Sequence, residues 1–215
     1  MSKEQTGRVI RLFFVAMTLS LFVAAAAAPD RGSSLTGLLA IWSAPTQLTT
    51  DFFALGGISA TMLSMGLTMA LCTALTFLPG ATVKGSTMAA FLLTLGFSSW
   101  GIHLVNILPF LLGTCVYAAI KRQPLGNFVD IAMFSTALCP LASDLMLRYP
   151  GDTVHGFTLA GIALALVVGI AVGMIGLDIL PTQYSPYTQG MNVVVIVLFC
   201  VIPMLAWAAT LLAMK

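Results

Sequence analysis

Long apolar runs alternate with short polar stretches along this chain, and their lengths predict its elements. Residues 9–28 are apolar, follow Lys3, Arg8 and Arg11, and end at Pro29-Asp30-Arg31-Gly32. A basic start and an alanine-rich end also fit a signal peptide; we expect a retained first span. Residues 52–78 can span with tilt and stop at Pro79-Gly80. Residues 157–177 form a clean span, and residues 191–214 a last one interrupted by Pro203. Residues 128–147 are apolar but hold Asp130, Pro140 and Asp144. Residues 33–51 combine an apolar run too short to cross with a polar one, which predicts a short interfacial or re-entrant helix. Residues 178–190 read as a loop of short amphipathic character.

Residues 84–122 break the pattern. Two apolar arms flank Gly96-Phe97-Ser98-Ser99-Trp100-Gly101-Ile102-His103, and both ends are basic. A spanning helix needs about 20 apolar residues to cross about 30 Å of hydrocarbon. At about 1.5 Å per residue, the arms 86–99 and 104–120 reach only roughly 21 and 25 Å. They are two short crossings or one re-entrant hairpin with its tip inside the layer. Polar, non-helical backbone at that depth needs cover from protein or a wet cavity, and paired broken segments mark solute sites in transporters. The fold class predicted is an all-α polytopic membrane protein. It forms one transmembrane domain over residues 1–215, with about seven crossing or re-entrant helices counted at membrane length. Lys3, Arg8, Arg11, Lys84, Lys121 and Arg122 then fall on the cytoplasmic side, with Arg31, Arg148 and Lys215 opposite, so the N-terminus is inside and the C-terminus outside.

Composition agrees. Charged residues make up 7% of the chain, against about 25% in soluble domains. The basic residues sit singly or in pairs at the ends of apolar runs, so the net charge of +2 does not indicate nucleic acid. Cys72, Cys115, Cys139 and Cys200 lie inside apolar runs without metal spacing and read as small packing residues. No cofactor or metal is expected.

Six residues are candidates for a solute or ion pathway. His103 and Asn106 share one helix face at the tip, after Ser98 and Ser99. They form a patch that passes solute, or they satisfy backbone groups released by the break. Asp144 is a carboxylate in an apolar segment, where a charge normally faces a cavity or a partner. It is a cation or proton site, or an i, i+4 partner of Arg148. Asp51 precedes a span and also reads as an N-cap. Asp130 suits the start of its helix, and His155 reads as a loop histidine. No catalytic motif appears: Trp100 stands where a serine-nucleophile turn needs glycine, and HExxH and phosphate-loop patterns are absent. An enzyme is not expected.

Two weak internal similarities stand out. Pro45–Asp51 resembles Pro140–Asp144, and residues 53–58 resemble residues 187–192, the latter pair joining spans of opposite direction. Such a relation fits inverted repeats. More specifically, residues 50–66, 85–113, 135–144 and 187–199 resemble a family of bacterial membrane proteins catalogued as domain of unknown function 1576. Gly96-Phe97, Trp100-Gly101, His103, Asn106-Ile107 and Pro109 carry the resemblance most specifically. Members have a lysine where this chain has Ile102, and they look about twice as long, with a second hairpin after the last span. The resemblance implies no activity. It implies a bacterial inner-membrane location and a chain equal to about half of a member.

The function expected is a small-solute transporter or channel half-unit in the lipid bilayer. It would work as a homo-oligomer, or with a second membrane chain, through the small-residue face Gly56, Gly57, Ala60 and Ser64. The alternatives are a substrate-binding membrane subunit of a larger transporter and a scaffold or assembly subunit without flux.

Overall fold

A computed structural model describes residues 3–46, 50–151 and 153–179, with side chains from 4 to 171. Most of the predicted loop 178–190, the last span 191–214 and the similarity at 187–192 lie outside the described residues, as does Cys200. The chain divides into two units, Met1–Gly176 and Leu177–Lys215, and the helical bundle belongs to the first.

Among the described residues the structure is all-helical. Its α-helices are α1 Lys3–Ala27, α2 Ser34–Trp42, α3 Phe52–Leu75, α4 Gly85–Phe97, α5 Leu104–Lys121, α6 Val129–Ser135, α7 Cys139–Arg148 and α8 Leu159–Ile179, joined in places by short 3-10 turns. α6 and α7 continue one another through a 3-10 turn at Thr136–Leu138. Four segments are long and apolar enough to cross a membrane: Glu4–Ala27, Phe52–Leu75, Leu104–Lys121 and Leu125–Arg148. α2 has nine residues and α4 thirteen, so at about 1.5 Å per residue they reach roughly 14 and 20 Å.

α1 and α3 pack antiparallel. Thr18 and Thr73 share a hydroxyl hydrogen bond of 2.9 Å, and Ser59 Oγ donates to the Ala25 carbonyl at 2.8 Å. At the other end, Arg11 Nε and Nη2 donate to the carbonyls of Thr76 and Ala81, both at 3.0 Å. The guanidinium thus serves the free carbonyls beyond α3, where the helix dipole favours a cation, and lies 5.6 Å from the Phe77 ring. The turn around Gly126 and Asn127 packs on Pro79–Ala81. Hence the start of α1, the end of α3 and both bases of the 84–122 hairpin gather at one end of the bundle.

α3 is interrupted. Gly57 has φ 83° and ψ 179°, a region open essentially to glycine alone. The second stretch of α3 therefore begins with unpaired N–H groups, and the Asp30 carboxylate accepts from Ser59 N at 3.1 and 3.3 Å. Gly37 of α2 lies against Gly56, whose own missing Cβ leaves room for Ile41. Ala60 and Ser64 are fully buried. Of the residues expected to form an oligomer face, Gly56, Gly57 and Ala60 make close contacts inside the chain, against α2 and Asp30.

α4 and α5 clasp α6–α7. Asp130 accepts from Ser86 Oγ and Thr87 Oγ1 at 2.5 Å each, with Lys84 Nζ at 3.7 Å. Further along, Thr94 meets Thr136 at 3.3 Å. α5 lies close to α8, where Gly113 faces the backbone at Gly169 and Ile170, and Gly169 faces Pro109.

Gly57→Ala should lower stability by about 1–3 kcal/mol, because alanine is strained at that φ and its Cβ meets Asp30. Gly85→Ala, with open space around it, should change little. Thermal unfolding of both variants in one detergent is the check; equal midpoints would contradict the break.

Candidate functional site

The polar tip is built around one amide. α4 ends at Phe97, Gly101 N and Ile102 N both bond back to the Phe97 carbonyl, and α5 starts after the extended N-cap His103. Asn106, the third residue of α5, reaches back so that its Oδ1 accepts from His103 N–H at 3.0 Å. An N–H can only donate, and this fixes which way the amide points. Its Nδ2 then faces three acceptors: the Gly101 carbonyl at 2.8 Å, Ser143 Oγ at 3.0 Å and Thr46 Oγ1 at 3.2 Å.

His103 lies alongside. Its Nε2 is 3.2 Å from Ser143 Oγ, and its ring lies 6.1 Å from that of Phe52. Nδ1 faces the Asn106 backbone N–H in a capping-box arrangement without closing a bond of normal geometry. Phe52 N–H donates to the Ser99 carbonyl at 3.3 Å. Thr46, His103, Asn106 and Ser143 are all at most 2% exposed. A buried polar group without partners costs about 1–3 kcal/mol, so these four hold one another in place.

The structure divides the six sequence candidates. It brings His103 and Asn106 together. Ser98 Oγ donates to the Leu95 carbonyl at 2.6 Å and Ser99 Oγ to Gly96 at 2.9 Å, so both hydroxyls serve the end of α4. Asp51 caps α3, accepting from Phe53 N at 2.9 Å and Ala54 N at 3.4 Å. Asp144 pairs with Arg148 at 2.9 Å on a part-exposed helix face. Neither carboxylate joins the tip network.

The sequence does not single out Thr46 and Ser143. Yet they lie in the two similar stretches, Pro45–Asp51 and Pro140–Asp144, and both meet Asn106 Nδ2. That pairing is the available signal. Ile102 is fully buried and apolar. Among the described residues no cluster of three or more His, Cys, Asp or Glu side chains that could hold a metal ion occurs.

Among the described residues these features define an all-helical bundle with helices of membrane-crossing length and a broken hairpin whose polar tip is buried against Thr46 and Ser143. The chain belongs to the family described as "Protein of unknown function (DUF1576)", whose model matches residues 31–198. No curated protein and no solved structure matches the chain.

Asn106→Ala should cost on the order of 2–3 kcal/mol, because several buried partners lose their bonds together. Asp144→Asn should cost under about 1 kcal/mol, as part-exposed ion pairs do. Thermal melts of the two variants compare them; the reverse order would remove Asn106 from the centre of the tip.

Proposed function

We propose that this chain is a small-solute membrane transporter or channel unit in which two re-entrant segments approach from opposite sides and meet at the Asn106 cluster. The observation that carries this is the junction itself: Phe52 N–H on Ser99 O, and Thr46 on Asn106. α4 reaches roughly 20 Å at about 1.5 Å per residue, short of the 30 Å or so of hydrocarbon. α4 is therefore the re-entrant arm, entering from the side that holds the start of α1, while α5 has the length of a span. α2 starts at the opposite end, with Ser34 Oγ 2.6 Å from Ser59 Oγ, and leads toward Thr46. Two short broken segments converging near mid-depth are the arrangement of inverted-repeat transporters.

The N-terminus, Lys84, Lys121 and Arg122 lie on the cytoplasmic side, with Arg148 opposite, as the positive-inside rule assigns them. The bilayer is the inner membrane of a bacterium, and the working unit is an oligomer.

The test is a lock across the junction. In a cysteine-free background, Phe52→Cys with Ser99→Cys should crosslink on oxidation, since their backbones hydrogen-bond. Solute uptake into proteoliposomes should then fall at least tenfold and return with reductant. Full uptake by the crosslinked protein would sink the junction as the gate, and absence of flux for every solute in the unlocked protein would favour the scaffold. Labelling of single cysteines at 84 and 122 should come from one side and at 148 from the other.

A further inference from the structure

We infer that the Asn106 cluster takes the carboxylate group of a small organic acid; this rests on the transport reading above and adds the class of solute. The protons of the cluster can be counted. Asn106 Nδ2 brings two N–H groups, neutral His103 one, and Ser143 and Thr46 one hydroxyl each. Asn106 can satisfy two of its three acceptors at a time. The His103–Ser143 contact uses one proton of the two that this pair owns. Nδ1 faces the Asn106 N–H, so Nε2 carries the ring proton toward Ser143 Oγ and Ser143 O–H is left over. Among the described residues Thr46 Oγ1 meets only Asn106 Nδ2, so its hydroxyl proton is left over too. Among the described residues neither leftover proton has an acceptor, although all four side chains are buried.

A surplus of buried donors is a demand for acceptors. α5, eighteen residues long, starts at this same place, and its first N–H groups add donors and the positive end of a helix dipole. The nearby carboxylates are turned elsewhere, Asp51 to the start of α3 and Asp144 to Arg148. An amide or urea would bring its own donors against donors, whereas a carboxylate brings acceptors only. Donors arranged beforehand at a half-helix start suit an anionic solute group.

The probes are the sodium salts of acetate, lactate, succinate and glutamate. Acetamide, urea and glycerol serve as neutral counterparts, with sodium chloride at matched ionic strength. The readout is the melting temperature of the full chain in mild detergent. At about ten times its Kd, a bound carboxylate should raise the midpoint by roughly 3–5 °C over chloride. Ser143→Ala and the isosteric Thr46→Val should each weaken that protection at least tenfold in apparent Kd while retaining a cooperative melt. If one variant fails to fold, the other decides.

Protection by no carboxylate, equal protection by the neutral solutes, or undiminished protection in the folded variants would each overturn the inference. Uptake separates this from the transport reading. Carboxylate protection without flux would leave the inference standing and remove transport. Flux of a neutral solute that depends on Ser143 and Thr46 would do the opposite.

Discussion

A helix that stops in a buried interior leaves N–H and carbonyl groups with no water to bond, and the rest of this structure depends on how Asn106 answers that constraint. One amide accepts from the N-cap N–H of its own helix and offers its two protons to three acceptors, the Gly101 carbonyl of the turn and hydroxyls from two other segments. Each bond alone contributes about 1 kcal/mol net. Together they determine where α4 ends, where α5 begins, and which parts of α7 and of the segment before α3 must be nearby. Few other side chains can do this, because an amide offers two donors and an acceptor on one short stem.

The second constraint is close approach. Gly37 lies on Gly56, and Gly113 on the backbone at Gly169 and Ile170. Between apolar helices in lipid, such contacts supply packing where the hydrophobic effect supplies little. They bring α2 against α3 and α8 against α5, leaving Thr46 and Ser143 within reach of one residue. The Gly57 break belongs to the same scheme. By starting α3 afresh, it separates the short arm that carries Phe52 from the helix that packs on α1.

Much of the fold is legible in the sequence. The hairpin at 84–122 shows in its basic ends and polar centre, and α4 and α5 fall within its arms. The short helix before α3 shows in an apolar run of limited length. Asp51 as an N-cap and Asp144 as an i, i+4 partner of Arg148 both follow from spacing alone. Ser143 and Thr46 are not legible as members of the tip. A serine in an apolar helix has no periodic signature, and its partner is 37 residues away. The small-residue series is legible as a packing face, but not its occupant: composition says that something approaches closely there, and only tertiary structure says that it is α2 and Asp30.

Arg11 carries a consequence for how the chain is assembled. Its guanidinium sits on the first helix, yet its two acceptors, the carbonyls of Thr76 and Ala81, are made some 65 to 70 residues later. During synthesis the first helix enters its surroundings well before those acceptors exist. Until then, a permanently charged group must remain at the polar boundary, where water can solvate it. The first helix is thereby held with its start near the surface until the third arrives antiparallel beside it. Arg11 thus joins an early-made helix to carbonyls made much later in the chain, and its cap on the end of the third helix is complete only in the finished bundle.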